Sequence, residues 1–432
     1  MRRGTLVGVL LVSLSMHAFG QEHGQAVDTG DTTWMLVSTA FVMLMTPGLA
    51  LFYAGMVRRK NVLGTFMQSF IALGVITLLW VLYGYSLAFG PSTGGFIGNF
   101  AWIGLREVGL TPNPAYAPTI PHQLFMLFQM MFAVITPALI TGAVAERMKF
   151  SAYLLFLALW STFVYVPLAH WVWGVGGWIR ELGALDFAGG LVVHISSGVA
   201  ALAAALVLGT RRGYPHELTP PHNMTMTVLG ASLLWFGWFG FNAGSAVASG
   251  ALAVSAFAAT HIASAAATVS WTFIEWWHRG RPTVLGAVSG SVAGLVAITP
   301  AAGFVGPMPA LLIGLVAGAI CYFGIGLKRA LGYDDSLDAV GVHGVGGTFG
   351  ALATGLFASK LINPAGADGL FAGNPKQLLI QAISVVAAAV YSFVVTWLLL
   401  KLIDKIFGVR VYAQHESEGL DLSQHGETGY TW

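Results

Sequence analysis

Long apolar runs alternate with short polar stretches along almost the whole chain of 432 residues. A helix that spans a bilayer needs about 20 mostly apolar residues, and the stretches between the runs are rich in Gly, Pro and charged residues, as loops are. The pattern therefore predicts an all-α membrane protein with eleven transmembrane helices. The predicted spans are residues 34–57, 62–88, 121–145, 150–171, 189–209, 224–247, 251–277, 284–300, 307–328, 339–358 and 377–402.

The first twenty residues have a different pattern from the predicted spans. Met1–Arg3 is positively charged, and Leu6–Met16 is apolar but too short to span a bilayer comfortably. Small residues follow at Ala18–Gly20. This arrangement predicts a secretory signal peptide over residues 1–20, with an uncleaved anchor helix as the alternative.

The basic residues divide the loops into two sets. Cytoplasmic loops carry an excess of Lys and Arg, and alternate loops here hold most of these residues. The N-terminus of the mature chain is therefore predicted outside, with a transmembrane domain over residues 21–406 and a cytoplasmic tail over residues 407–432. The basic loops hold Arg58, Arg59, Lys60, Arg147, Lys149, Arg211, Arg212, Arg279, Arg281, Lys328, Arg329, Lys401, Lys405 and Arg410, and the other loops hold Arg106, Arg180, Lys360 and Lys376.

The composition agrees with lipid as the solvent for most of the surface. Only 9% of the residues are charged, whereas soluble domains carry about 25%. The 55 glycines suit close packing of membrane helices. The net charge of +2 does not favour nucleic acid as a partner. The single cysteine, Cys321, excludes an internal disulfide and a cysteine-built metal site.

Two distant segments repeat the same arrangement of polar residues. Asp186 precedes His194, and Asp335 precedes His343, at the same spacing. The first pair opens the fifth predicted span and the second pair opens the tenth. Because five is an odd number, two halves of five helices have opposite topology, with the working site at the interface between them. We therefore predict two inverted five-helix repeats plus a final helix, with both histidines near the midplane.

Three histidines lie well inside predicted spans, where a charged residue would be costly. We interpret His261, which stands alone, as a packing residue, and the repeated pair His194 and His343 as functional. Asp186 has two compatible interpretations. It can cap the following helix by accepting backbone N–H bonds, or it can help to stabilise a cation outside the pore.

Aromatic residues gather near the ends of the third, fourth and sixth predicted spans. Phe128 and Phe132 share one helix face, Trp173 ends the fourth span, and Phe241 and Ser245 lie near the end of the sixth. An aromatic belt at the membrane interface is one explanation. Recognition of a small cation by aromatic faces and a hydroxyl is the other. Periodicity leaves both open.

Several long stretches of the chain resemble the Amt/Mep/Rh ammonium transporter family, specifically its bacterial members. The resemblance runs from about Asp31 to Tyr430. The stretches that carry it are Ala145–Phe150, Ala169–Gly174, Leu185–Gly190 with His194, Gly237–Ser245 and Gly341–Gly344.

The resemblance implies a homotrimer in the cell (inner) membrane, with one pore in each subunit. Ammonium would bind outside and lose its proton, and ammonia would cross into the cytoplasm. The proton would follow a separate, histidine-linked route, although an electroneutral ammonia channel stays open. The implied residues are Trp173, Phe132, Ser245 and Phe128 at the recruitment site, Phe132 and Phe241 at the gate, His194 and His343 as the twin histidines, and Asp186 as a supporting carboxylate.

The tail residues Glu418–Glu427 are similar to the cytoplasmic tail of the family, which takes part in inhibition by a PII-type nitrogen-signalling protein in many bacteria. The segment between Arg410 and Glu418 is short beside many family tails and lacks a run of acidic and basic residues. The resemblance therefore implies docking of a PII-type protein less strongly than it implies transport.

Three other functions compete with transport. An ammonium sensor would have the same fold, but the polar tail is too short for a signalling domain of typical size. A membrane enzyme would need catalytic motifs, and we find no spaced metal ligands, Gly-x-Ser-x-Gly or P-loop, so neither enzyme activity nor a cofactor is expected. A channel for a neutral solute has no use for cation–π contacts with Trp173 and Phe132.

Overall fold

The computed structural model describes residues 26–217 and 219–430, so the predicted signal peptide lies outside the described residues. The prediction of an all-α membrane protein is confirmed. Within the described ranges, ten helices are long and apolar enough to cross a membrane, and an eleventh is shorter. In chain order, α1 to α11 are Thr29–Met56, Arg59–Phe89, His122–Val144, Phe150–Leu182, Gly190–Leu208, Met224–Ala246, Ala251–Arg279, Val284–Ile298, Pro307–Leu331, Val340–Phe357 and Pro375–Phe407.

The loop between α2 and α3 contains two small antiparallel sheets. In the first, β1 (Ser92–Thr93) pairs with β2 (Ile97–Gly98). In the second, β3 (Pro112–Asn113) pairs with β4 (Ala117–Pro121). Two short helices follow α11, namely α12 (Ala413–Glu418) and α13 (Asp421–His425).

Side-chain caps explain where several helices begin. Asp28 accepts a hydrogen bond from the backbone N–H of Asp31 at the start of α1. The side chains of Asn223 and Thr283 likewise accept backbone N–H bonds at the starts of α6 and α8. Proline occupies the first position of α11 at Pro375, where its missing N–H has no cost. Local chemistry therefore determines these boundaries.

The helix α8 is 15 residues long, shorter than the predicted span 284–300. Pro300 follows it closely, and proline disfavours continuation of a helix. The chain continues as a non-helical segment, residues 299–305, in which every residue is buried. Irregular backbone is tolerated at membrane depth only where protein covers it or where it lines a cavity.

The helices α5 and α10 cross at two glycines. A Cβ atom added to Gly198 would lie 2.1 Å from the backbone nitrogen of Gly344, so no larger residue fits at this crossing. Both helices open with a π-helical turn, Gly190–Ile195 in α5 and Val340–Gly344 in α10. Such turns are rare in proteins overall, but those that occur are often found at functional sites. The two predicted repeats therefore meet where their histidines lie.

The loops that carry most of the basic residues meet at one end of the helix bundle, which we call the basic end. Glu146 is buried there and forms salt bridges with Arg58 at 3.1 Å and Arg211 at 3.2 Å. Arg211 also pairs with Asp334 at 2.8 Å. Burial alone would raise the pKa of Glu146, but the charges of Arg211 and Arg58 together lower it below its usual value.

The tail packs onto the basic end. The backbone N–H of Leu420 donates to the side-chain oxygen of Asn61, whose amide donates to Glu146. Glu416 accepts from the guanidinium of Arg410 at 2.8 Å. These contacts tie α12 and α13 to the salt-bridge network.

Candidate functional site

A cavity of about 210 Å³ lies at the end of the bundle opposite the basic end, and we call it the outer vestibule. Its walls include Phe132 from α3, Trp173 from α4 and Ser245 from α6. The rings of Phe132 and Trp173 are perpendicular, with centroids 5.8 Å apart. Three residues far apart in sequence are thereby brought to one cavity.

The hydroxyl of Ser245 is oriented to accept a hydrogen bond. It donates its own proton to the backbone carbonyl oxygen of Phe241 at 2.8 Å. Its oxygen lone pairs therefore remain available to an N–H donor in the outer vestibule. Aromatic faces attract cations electrostatically, so the walls combine two means of holding a small cation that carries N–H groups.

Phe128 does not line the outer vestibule. Its ring is fully buried behind Phe132, with centroids 5.0 Å apart in an edge-to-face arrangement. The structure therefore places Phe128 as a support for the Phe132 ring.

Two stacked phenyl rings close the floor of the outer vestibule. The rings of Phe132 and Phe241 lie 4.2 Å apart, centroid to centroid, at an angle of 25°. Both side chains are 1% exposed. Rings at this separation leave no room between them for a hydrated ion, and we call the pair the gate.

The two histidines lie beyond the gate and contact each other. Nδ1 of His194 is 3.2 Å from Nδ1 of His343, and the His194 ring lies 6.2 Å from the ring of Phe241. One proton is shared in this contact, so the two neutral imidazoles hold opposite tautomers. One remaining Nε2 is then a donor and the other an acceptor.

A narrow apolar cavity of about 10 Å³ lies between the gate and the histidine pair. This volume holds about one water-sized molecule. Nε2 of His194 is buried and has no hydrogen-bond partner among the described residues. Apart from the two imidazoles and Trp238, the cavity is lined by the aliphatic and phenyl side chains of Met45, Leu49, Phe52, Ile135, Leu139, Val193, Leu234, Phe241 and Val292.

A larger cavity of about 340 Å³ lies on the far side of His343 from the gate. We call it the inner vestibule, and it opens toward the basic end. Its walls include Tyr53, Trp271, Glu275 and Asp338. The outer vestibule, the gate, the histidine pair and the inner vestibule therefore follow one another from one end of the bundle to the other.

Asp186 caps the start of α5. Its carboxylate accepts backbone N–H bonds from Gly189, Gly190, Leu191 and Val192. Burial raises the pKa of Asp186 to about 6, and the four N–H donors oppose this rise. Its backbone oxygen accepts from the indole N–H of Trp173 at 2.9 Å. Asp186 therefore contributes both to the start of α5 and to the position of Trp173.

Asp335 holds the corresponding position in the second half of the chain. Its carboxylate accepts from the backbone N–H of Val340 at 2.7 Å, where α10 begins. Burial raises the pKa of Asp335 to about 6, as it does for Asp186. The repeated Asp–His spacing therefore corresponds to two similar helix starts.

Reasoning from the sequence missed several residues of the path. Gln129 and Arg180 line the outer vestibule, and Glu275 and Asp338 line the inner one. Gln129 lies three positions before Phe132, so helical spacing could have identified it. Arg180 has no such signal, because a short turn after Trp173 brings it back to the cavity. His261, interpreted as a packing residue, lies outside the path beside Trp235. No group of residues suited to a metal ion occurs in the described part of the chain.

Comparison with known proteins identifies relatives over most of the chain. A model of the Ammonium Transporter Family matches residues 33–430. The chain is 54% identical over 402 residues to the ammonium transporter of Bacillus subtilis, covering 93% of this chain and 98% of that protein. It is 48% identical over 434 residues to the ammonium transporter of Aquifex aeolicus, covering 100% of both chains.

Solved structures of similar proteins have the same fold. The crystal structure of Saccharomyces cerevisiae Mep2 matches with a TM-score of 0.85 at 38% identity, covering 90% of this chain and 88% of that chain. A structure described as a sensor Amt protein matches with a TM-score of 0.84 at 31% identity, covering 92% of this chain and 98% of that chain.

Proposed function

The chain belongs to the ammonium transporter family, and from this premise we propose that it captures ammonium in the outer vestibule and conducts ammonia past His194 and His343. Ammonium transport by a multi-pass membrane protein is the function of the family and of its close relatives. The proposal concerns the route and the chemical form in which the nitrogen crosses. The family and the relatives are transporters rather than enzymes.

The observation that carries the proposal is the stacked gate above a cavity of about 10 Å³ with an apolar lining. Moving a charged group from water into such surroundings costs several kcal/mol or more. Ammonia carries no charge and is close to water in size. Ammonium therefore gives a proton to solvent water in the outer vestibule, and neutral ammonia passes Phe132 and Phe241.

The outer vestibule supplies the capture step. Trp173 and Phe132 present aromatic faces, each of which attracts a cation by about 0.5–2 kcal/mol. The oxygen of Ser245 accepts one N–H bond. Phe128 keeps the Phe132 ring in place, and Asp186 supports Trp173 through its backbone oxygen.

The histidine pair supplies the passage step. Opposite tautomers offer one donor and one acceptor to ammonia inside an otherwise apolar cavity. Their contact of 3.2 Å between nitrogen atoms also gives a proton a place to move. We propose that the released proton follows this histidine-linked route, so that transport moves net charge into the cytoplasm.

The orientation follows from the basic end. Cytoplasmic loops carry the basic residues, and two of these residues contact the tail. The backbone N–H of Val411 donates to the backbone oxygen of Arg147, and the backbone N–H of Arg212 donates to Glu416. We propose an inner-membrane location in a bacterial cell, with the outer vestibule facing outside and the tail in the cytoplasm. Residues 1–20 are proposed as a cleaved signal peptide, residues 21–406 as the transporter domain, and residues 407–432 as the tail.

The proposed assembly is a homotrimer with one pore in each subunit. An exposed surface on α6 and α7 supports a contact between subunits there. His261 is exposed on it, next to the rings of Trp235 and Phe239. A polar imidazole is costly against lipid, so a partner subunit is a more favourable neighbour. The proposed regulatory partner is a PII-type protein at the basic end.

Sensing of ammonium is the second candidate function. The structural match to a sensor Amt protein supports it, because capture in the outer vestibule would be common to both functions. A sensor would bind ammonium with little flux, so the transport rate separates the two.

An ammonium jump across proteoliposomes that hold the purified protein tests the proposed function. We expect a saturable current that His194→Ala combined with His343→Ala abolishes, and that His216→Ala, a change at an exposed loop, leaves intact. An internal pH rise without current would overturn the proton route and leave an ammonia channel. Neither signal, with ammonium still bound, would overturn transport in favour of sensing.

A further inference from the structure

Arg180 places a positive charge at the mouth of a vestibule that captures a cation. It belongs to the short helical turn Trp178–Leu182 at the end of α4. Its side chain lines the outer vestibule, together with Trp173, Phe132 and Ser245. It also lines an adjoining cavity of about 430 Å³, which is bordered by Asp186.

The charge of Arg180 is not neutralised by a neighbour. No carboxylate lies within 4.0 Å of its guanidinium among residues 26–217 and 219–430. Asp186 borders the same cavity, but its oxygens accept four backbone N–H bonds at the start of α5. The carboxylate nearest in sequence, Glu181, is exposed and does not line the outer vestibule.

The field of Arg180 reaches the vestibule wall. Burial raises the pKa of the Tyr116 hydroxyl, while the N–H of Val175 and the charge of Arg180 act to lower it. Tyr116 itself lines the outer vestibule. A cation held between these residues therefore lies within the same field.

Arg180 also contacts the residue that forms the aromatic wall. Its guanidinium donates a hydrogen bond to the backbone carbonyl oxygen of Trp173. The indole N–H of Trp173 donates to the backbone oxygen of Asp186. Trp173 is therefore held at both its main chain and its ring, and Arg180 is one of the two partners.

We propose that Arg180 sets the ammonium affinity of the outer vestibule, because its unneutralised charge opposes the capture that Trp173, Phe132 and Ser245 provide. The inference rests on the proposed function, since it assigns a specificity-determining role within the same capture site. The aromatic and hydroxyl contacts bind the cation at close range. The repulsion from Arg180 weakens this binding, so a higher ammonium concentration is needed to half-fill the vestibule.

The test compares the KM for ammonium-driven transport in Arg180→Gln, which removes the charge, and Arg180→Lys, which keeps it. In proteoliposomes at low ionic strength, we expect R180Q to lower the KM about threefold. This is about the effect, in water, of removing one unit charge that lies several ångströms from a bound cation. R180K is expected to keep the wild-type KM, and the maximal rate is expected to stay constant in both variants. Glu181→Gln, a neighbouring exposed charge, is the matched control.

Ionic strength supplies an independent readout. An impermeant salt at about 0.3 M shortens the screening length to several ångströms, so the KM difference between R180Q and the wild type is expected to close. A hydrogen bond that only positions Trp173 would show no such salt dependence. It would also make R180K, which lacks the guanidinium fork, behave like R180Q.

An unchanged or raised KM in R180Q would overturn the inference. Equal shifts in R180Q and R180K would also overturn it, in favour of a purely positioning role. Both results require a saturable ammonium signal in the wild type. The absence of that signal would instead overturn the proposed function.

Discussion

At the scale of single residues, the proposed capture of ammonium in the outer vestibule combines contacts that act on different properties of this ligand. Trp173 and Phe132 respond to positive charge through their ring faces. Ser245 responds to the N–H groups, because its own proton is already donated to Phe241. A cation without N–H groups would lose this hydrogen bond.

The contribution of Ser245 is open to a direct test. We expect Ser245→Ala to raise the KM for ammonium about tenfold or more, since a hydrogen bond to a charged group contributes about 1.5–3 kcal/mol. Ser232→Ala on the same helix removes a hydroxyl that also donates four residues back, but at an exposed position. That control variant is expected to keep the wild-type KM. An unchanged KM in S245A would contradict the assigned acceptor role.

Some of these residues were predictable from the sequence and others were not. His194 and His343 were identified because the same Asp–His spacing occurs twice in the chain. Trp173, Phe132 and Ser245 lie on three helices, and periodicity within one helix carries no information about contacts between helices. Only the family resemblance linked them. Arg180 was missed because a single arginine beyond the end of a predicted span has no distinguishing pattern.

At the scale of helices, α5 and α10 determine where the histidines meet. Their crossing at Gly198 and Gly344 brings the backbones together without intervening side chains. His194 and His343 both lie in the π-helical turns, and their Nδ1 atoms meet at 3.2 Å. A pattern of apolar residues predicts the two spans but not the distance at which they cross.

Glycine at the crossing is expected to be required. In Gly198→Ala the added methyl group would lie 2.1 Å from the Gly344 nitrogen, so the helices must separate. We expect a loss of stability of about 1–3 kcal/mol, the range for overpacked cores, together with a loss of transport. Gly74→Ala, in a helix with open space around the added Cβ, is the control. Thermal unfolding in detergent measures the stability of both variants. A midpoint for Gly198→Ala equal to that of Gly74→Ala would contradict the close crossing.

The basic end predicts a pH dependence of stability. The pKa of Glu146 is lowered in the folded protein from its usual value of 4.5. The unfolded chain therefore takes up protons first as the pH falls. The stability contributed by Glu146 is fully present above about pH 4.5 and is lost as the pH falls through the lower folded pKa.

Unfolding of the detergent-solubilised protein as a function of pH measures this contribution. We expect Glu146→Gln to be less stable at pH 7, because Arg58 and Arg211 lose a buried partner. Its stability should also change less than that of the wild type between pH 5 and pH 3. This window follows from the lowered pKa of Glu146 in the folded protein. Glu181→Gln, an exposed change at the opposite end, should follow the wild type. Parallel curves for E146Q and the wild type would refute the salt-bridge network as the cause.

At the scale of the whole molecule, the path changes its chemistry along its length. A vestibule suited to cations leads to an apolar gate and a small cavity, and a second vestibule with carboxylates follows at the basic end. The span lengths and the basic loops, both readable from the sequence, determine this axis. The gate spacing of 4.2 Å is a tertiary property. It follows from the packing of α3 against α6 and could not be derived from either helix alone.

The central claim is that nitrogen crosses the gate as ammonia. Potassium is close to ammonium in size and charge but has no proton to lose, so replacing one by the other isolates this step. The measurement is the response of proteoliposomes to equal jumps of ammonium and potassium. The account predicts a saturable signal for ammonium and none for potassium. A saturable potassium current that the His194→Ala and His343→Ala double variant alters would show that an intact cation passes the gate, and would contradict the account.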